Sequence, residues 1–89
     1  MTIAICDDRV IDCLLSKFLI SEYFKKRKMT CSIITYETGA KLLSDFENGT
    51  VFDIVFMDIY VGDELGIDVA GKLRNEGYDN LLIFSTITP

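Results

Sequence analysis

The segment VFDIVFMDI, residues 51–59, is the most hydrophobic part of the chain. Aspartate interrupts it only near its start and near its end, and a glycine stands close to each side of it. A short apolar run with such boundaries is typical of a buried strand whose end reaches solvent. We therefore predict that residues 51–59 form a central strand.

Strand and helix patterns alternate on both sides of this run, with short connections between them. This alternation is the signature of a parallel sheet flanked by helices, so the predicted fold class is α/β. Thr38 is the predicted N-cap of the second helix, and Asn48-Gly49 is its predicted end. The strands are predicted at residues 2–6, 31–36, 51–59 and 81–86, and the helices at 10–27, 38–48 and 65–75.

The first helix carries its apolar side chains at helical spacing, with polar residues between them. Such a repeat predicts a long amphipathic helix. The apolar residues of this stripe are Ile11, Leu14, Leu15, Phe18 and Leu19.

Length and composition predict one packed domain, residues 1–89, because a chain of 89 residues and 10.1 kDa holds a single core. The net charge of −5 argues against binding nucleic acid directly, since that requires clustered cations against phosphate. The run Lys25-Lys26-Arg27-Lys28 is better explained as positive charge at the end of a helix.

The three cysteines, Cys6, Cys13 and Cys31, show no metal-binding or disulfide spacing. We expect them to be buried small residues of a cytoplasmic protein. No apolar run approaches the ~20 residues of a membrane span, so no membrane segment is predicted. The chain contains no histidine, and its chemistry must therefore depend on carboxylates, hydroxyls or thiols.

Aspartates stand where two predicted strands end. Asp7 and Asp8 follow the first strand, and Asp58 lies near the end of the third. Ligands of parallel sheets bind beyond the carboxyl ends of the strands, where these side chains would converge if the two strands are neighbours. Such a set of oxygen ligands suits Mg²⁺ or Mn²⁺. The alternative is that Asp7 and Asp8 cap the next helix and Asp58 merely ends a strand.

The ordered combination of these motifs resembles the receiver domains of two-component response regulators, which are CheY-like. The resemblance implies a flavodoxin-like, doubly wound parallel sheet with strand order 2-1-3-4. Residues 36–39, 42–43 and 66–70 are more narrowly similar to regulators with a LytTR-type DNA-binding output. The matching motifs are Ile3-Ala4-Ile5-Cys6-Asp7-Asp8, residues 53–59, Gly66 eight positions beyond Asp58, and Ser85-Thr86.

The resemblance also implies residue roles. Asp58 becomes the phosphoacceptor, Asp7 and Asp8 become carboxylate ligands of Mg²⁺ or Mn²⁺ together with Asp58, and the Tyr60 carbonyl becomes a further ligand. The Thr86 hydroxyl is implied to contact the phosphoryl group. The domain would then be a signalling module rather than an enzyme, with slow autodephosphorylation at most. Its partners would be a sensor histidine kinase and, in the full-length protein, an output DNA-binding domain, with no binding to a membrane.

The sequence departs from the family in two places. Val61-Gly62 stands where many receivers have Met-Pro, so we expect a more mobile loop there. The family also continues past its fourth strand through a helix, a fifth strand with a phosphoryl-contacting lysine, and a last helix. The resemblance thus implies a truncated receiver that is phosphorylated only weakly. It also implies a homodimer through the uncharged edge of residues 81–86 or through an uncovered sheet face.

Two other functions compete with this interpretation. A haloacid-dehalogenase-like phosphatase also uses an aspartate nucleophile, but it should show Asp-x-Asp after the first strand. Here Asp7 and Asp8 are adjacent, and Asp58-Ile59-Tyr60 lacks the second aspartate. The other alternative is a receiver-like interaction module that no longer accepts phosphate.

Overall fold

The computed structural model describes residues 1–85 of the chain, along which strands and helices alternate. The predicted elements are all present, with boundaries that differ by up to three residues. In chain order the elements are β1 (Thr2–Cys6), α1 (Val10–Lys26), β2 (Ser32–Tyr36), α2 (Gly39–Glu47), β3 (Ile54–Asp58), β4 (Tyr60–Val61), β5 (Glu64–Leu65), α3 (Gly66–Asn75) and β6 (Leu81–Ser85).

The main sheet has four parallel strands in the order β2-β1-β3-β6. Because β6 is the fourth of the predicted strands, the expected order 2-1-3-4 and the α/β fold class are both confirmed. The central strand is shorter than predicted, since residues 51–53 precede the sheet. There the Asp53 carboxylate accepts a hydrogen bond from the Thr2 amide at 2.7 Å, and Asn80 donates one to the Phe52 carbonyl at 3.0 Å.

The principal core lies between the sheet and the two helices α2 and α3. Alternate residues of β1 and β3 face these helices, as expected for strands with a two-residue side-chain period. Thr38 caps α2 as predicted, its hydroxyl accepting from the Lys41 amide at 3.2 Å. The core side chains are Ala4, Cys6, Tyr36, Leu42, Phe52, Val55, Met57, Val61, Val69, Leu73 and Tyr78.

Helix α1 departs from its predicted amphipathic pattern. The apolar stripe is largely in solvent, with Ile11 80 %, Leu14 61 % and Phe18 59 % exposed, and the buried residues of the helix are Ser16 and Phe24. Apolar residues occur on several sides of α1, and one sheet face cannot cover them all. The apolar stripe predicted for this helix therefore does not form its buried face.

The three cysteines differ in their exposure to solvent. Cys6 is buried as expected, but Cys13 and Cys31 are partly exposed, and all three are free thiols. Cys13 lies on the poorly covered helix α1, and Cys31 precedes the outer strand β2. Within residues 1–85, no helix has the length and apolar character needed to cross a membrane.

The segment after the central strand, where the sequence led us to expect a more mobile loop, forms a hairpin. Strands β4 and β5 pair antiparallel, Tyr60 with Leu65 and Val61 with Glu64. Gly62 occupies the first position of the two-residue turn and has a φ of 61°. Type II′ hairpin turns place glycine at this position because its φ is positive. The Val61 side chain is only 3 % exposed and belongs to the core.

Candidate metal centre

The structure brings Asp7, Asp8 and Asp58 together at the carboxyl-terminal edge of the sheet. Asp7 and Asp8 follow β1, and Asp58 is the last residue of β3. These strands are neighbours in the sheet, with Cys6 paired to Met57. One carboxylate oxygen from each aspartate lies within 4.8 Å of the other two. The topology therefore joins residues that are about fifty positions apart in sequence.

This set of ligands fits a small divalent cation. Mg²⁺ prefers oxygen ligands at about 2.1 Å, so two oxygens on one ion can be no more than about 4.2 Å apart. The three carboxylate oxygens lie up to 4.8 Å apart, so a small rotation of the side chains would bring them to this distance. Like charges this close also repel one another, and a cation would offset the repulsion. The residues present could thus hold Mg²⁺ or Mn²⁺.

Asp7 is the buried member of the cluster, with 8 % of its surface exposed. Its Oδ1 accepts a hydrogen bond from the Arg9 amide at 2.9 Å, at the start of α1. This bond lies in the loop before the helix, and among the described residues no side chain caps the start of α1. Burial raises the pKa of the Asp7 carboxyl above its ordinary value, and the negative charge of Asp58 raises it further, against the lowering effect of the Arg9 amide.

The thiol next to this carboxylate is held in its neutral form. Burial raises the pKa of Cys6 to about 12, and the negative charge of Asp7 adds to the effect. A thiolate is the reactive form of cysteine, so Cys6 is not a nucleophile near neutral pH.

Asp8 and Asp58 are more accessible than Asp7, and a backbone amide holds each of them. Asp8 Oδ2 accepts from the Gly62 amide in the hairpin at 3.0 Å. Asp58 Oδ1 accepts from the Ile59 amide at 2.8 Å. These bonds restrict the carboxylate orientations while leaving further lone pairs for a ligand. Sequence analysis missed the Gly62 contact because a backbone donor leaves no mark in the residue type.

Gly66 lies directly against the strand that carries Asp58. A β-carbon at position 66 would overlap the Asp58 carbonyl oxygen and would come within 2.9 Å of the Met57 side chain. The Gly66 amide also donates to the Ile59 carbonyl. Glycine is therefore required for α3 to begin this close to the end of β3.

The two remaining predicted site residues are placed differently. Tyr60 begins β4, two positions after Asp58, and its side chain is exposed. Thr86 lies outside the described residues. Its neighbour Ser85 ends β6 and pairs with Asp58 across the sheet. A hydroxyl-bearing residue thus lies in the strand beside the acidic cluster.

Comparison with known proteins gives no match to a family model or to a curated protein. Solved structures do match, and several of them are response regulators or receiver domains. The sheet order and the flanking helices match the flavodoxin-like fold of receiver domains.

One similar structure is the response regulator TrrA from Thermotoga maritima in complex with Mg²⁺-BeF, with 29% identity and a TM-score of 0.77. The match covers 93% of this chain and 66% of that one. The amino-terminal domain of a response regulator/sensory box/GGDEF protein from Carboxydothermus hydrogenoformans has 16% identity and a TM-score of 0.78, over 100% and 68% of the two chains.

A third structure contains the histidine kinase ThkA in complex with TrrA, with 23% identity and a TM-score of 0.68, over 99% of this chain and 70% of that one. This chain spans only part of the length of these similar structures, from 55% to 70%. At these identities the similarity demonstrates a shared fold, and the chemistry must be argued from the site itself.

Proposed function

We propose that this chain is a phosphoacceptor receiver domain of a two-component response regulator and that Asp58 accepts the phosphoryl group. The observation that carries the proposal is the convergence of Asp7, Asp8 and Asp58 at the carboxyl-terminal edge of the sheet. Ligands of open parallel sheets bind at this edge. The structural neighbours support the proposal, since they are response regulators.

The chemistry assigned to Asp58 is nucleophilic attack. A carboxylate oxygen forms a bond to the phosphorus of a phosphohistidine, and the phosphorus–nitrogen bond to the imidazole breaks. The imidazole keeps the electron pair and takes up a proton from water. The hydrogen bond from the Ile59 amide holds one Asp58 oxygen, which orients the carboxylate for the reaction.

The ion assigned to the site is Mg²⁺, with Mn²⁺ as a substitute. Asp7, Asp8 and Asp58 would supply carboxylate oxygens, and the Tyr60 carbonyl is proposed as a further ligand. When bound, the cation supplies positive charge that offsets the charge of the phosphoryl oxygens. Thr86 is proposed to donate a hydrogen bond to the phosphoryl group, an assignment that rests on the resemblance in sequence.

The proposed phosphodonor is a sensor histidine kinase. The similar regulator TrrA has been crystallised with the kinase ThkA, which supports this choice of partner. In the full-length protein, the proposed output is a DNA-binding domain of the LytTR type that controls transcription. That assignment rests on the similarity of residues 36–39, 42–43 and 66–70.

We also propose that two copies of the chain associate through β6. This strand has one neighbour, β3, among the strands of residues 1–85, so its other edge presents unpaired backbone groups. The strand LLIFS contains no charged residue that would discourage pairing. Leu81 and Phe84 are 55 % and 45 % exposed, which places apolar surface beside the edge.

Beryllofluoride, which mimics a phosphoryl group, tests the proposed function. With Mg²⁺ present, the chain should give a bound fluorine signal in ¹⁹F nuclear magnetic resonance, and Asp58→Asn should lose it. Asp53→Asn is the matched control, since Asp53 lies just before β3, at the end of the strand opposite to Asp58. It should retain the signal. A wild-type protein that binds no beryllofluoride would instead favour an interaction module without phosphorylation.

The phosphatase alternative gives a different result in the same preparation. A phosphatase would hydrolyse a phosphomonoester such as p-nitrophenyl phosphate in many turnovers, whereas a receiver holds the phosphoryl group on Asp58. Sustained, Asp58-dependent hydrolysis would therefore contradict the proposed function. We expect the wild-type chain to release no more p-nitrophenol than Asp58→Asn does.

A further inference from the structure

The hairpin that follows β3 makes a hydrogen bond that the Met-Pro pair of many receivers could not make. Many receivers carry proline where this chain has Gly62. Proline has no backbone N–H, but the Gly62 amide donates a hydrogen bond to Asp8 Oδ2 at 3.0 Å. The replacement at position 62 therefore adds a donor beside the acidic cluster.

The Gly62 amide is itself held in place by its neighbours in the hairpin. Val61, the preceding residue, is buried in the core. On the other strand of the hairpin, Glu64 forms an ion pair with Lys72 of α3 at 2.9 Å. Both partners are partly exposed, so the ion pair contributes little by itself, and the buried Val61 is the stronger anchor. The donor is thus fixed to the core independently of Asp8.

Asp8 has a particular need for such a donor. Asp7 is buried and bonded within its own loop, whereas Asp8 is exposed between β1 and α1. An exposed carboxylate beside two others is free to rotate away from their negative charge. A hydrogen bond from a fixed amide opposes that rotation and keeps the carboxylate turned toward the cluster.

We propose that Gly62 is a positioning residue of the metal site, whose amide orients the Asp8 carboxylate for the cation. This inference rests on the proposed function, because it assumes that the aspartate cluster binds metal. The turn also requires glycine: the φ of 61° is one that side chains rarely adopt, and a β-branched residue resists it most. A substitution that changes this angle moves the amide away from Asp8.

The test measures Mn²⁺ affinity from the electron paramagnetic resonance signal of the free ion. Gly62→Val should weaken Mn²⁺ binding about tenfold, the lower end of what is lost when a group supporting a metal ligand is removed. Gly62→Asn should retain most of the affinity, since asparagine tolerates positive φ and keeps the amide. Gly62→Ala provides an intermediate variant that folds more readily than Gly62→Val.

Gly77→Val is the matched control. Gly77 also has a positive φ, 101°, with open space around its Cβ position, and it lies beyond α3. This variant should lose stability in metal-free buffer, as Gly62→Val does, while its Mn²⁺ affinity stays at the wild-type value. Melting curves in a chelator measure the loss of stability separately from metal binding.

The outcomes separate this inference from the proposed function. Wild-type affinity in a folded Gly62→Val or Gly62→Ala variant would overturn the positioning role and leave the metal site standing. Equal weakening in Gly62→Asn and Gly62→Val would also overturn it, because asparagine tolerates the positive φ and leaves the amide in place. A wild-type chain that does not bind Mn²⁺ would remove the metal site and this inference with it.

Discussion

Gly66 shows how a residue without a side chain can decide the geometry of the site. Its α-carbon lies so close to Asp58 that an added methyl group would overlap the carbonyl oxygen of that residue. That oxygen belongs to the backbone at the end of β3 and cannot rotate away as a flexible side chain could. Any substitution must therefore displace α3 or β3.

Gly66→Ala should consequently destabilise the protein by roughly 1–3 kcal/mol, the usual cost of forcing extra volume into a packed region. The measurement is urea unfolding followed by circular dichroism. Gly71→Ala in the same helix is the control, because its Cβ position has open space. It should stabilise the protein by about 1 kcal/mol, since alanine favours helix. Equal effects of the two variants would show that the close approach at Gly66 is not a constraint.

At this scale, the sequence could predict acidic residues more readily than backbone donors. Asp7, Asp8 and Asp58 stand at strand ends, and strand pairing brings them together. By contrast, the Gly62 amide contacts Asp8 across 54 positions through an atom that every residue but proline possesses. Only the folded hairpin reveals that this particular amide faces the cluster.

At the scale of secondary-structure elements, the parallel strands were predictable because each is a short apolar run with polar boundaries. The hairpin β4–β5 was missed although Gly62-Asp63 is a recognised hairpin turn sequence, because its strands are only two residues long. Helix α1, by contrast, was predicted, but its buried face was not. Periodicity revealed the helix, but the helix is apolar on several sides, and so the pattern did not identify its buried face.

If two copies of the chain pair through the edge of β6, a charge on this strand should weaken their association. Phe84→Lys should weaken any dimer that forms through this edge, because the added charge opposes pairing of two apolar strands. Light scattering at micromolar concentration should report a dimer or larger assembly for the wild-type chain. Ile11→Lys is a matched control on exposed apolar surface of α1 and should leave the assembly unchanged. A stable 10.1 kDa wild-type species would contradict the proposed association.

At the scale of the whole molecule, the charge distribution links metal binding to stability. The chain carries a net charge of −5, and three of its carboxylates lie together at one edge of the sheet. Their mutual repulsion exists in the folded state and is relieved when the chain unfolds. A cation that binds only the folded state reverses this balance by mass action.

Mg²⁺ should therefore raise the melting temperature. At a free concentration about ten times the Kd, the gain in unfolding free energy is about 1.4 kcal/mol, which corresponds to several degrees for a domain of this size. Asp8→Ala should abolish the gain by removing one of the proposed ligands. Calorimetry with and without Mg²⁺ makes the comparison, and K⁺ at equal ionic strength controls for screening. Identical curves would count against a metal site.

Intact-mass spectrometry after incubation with acetyl phosphate tests whether Asp58 accepts a phosphoryl group. With Mg²⁺ present, a fraction of the protein should gain the mass of one phosphoryl group, and peptide mapping should locate it on Asp58. The adduct should be absent in Asp58→Asn and without Mg²⁺, and present in Asp53→Asn. An unmodified wild-type chain, or an adduct on another residue, would contradict the account.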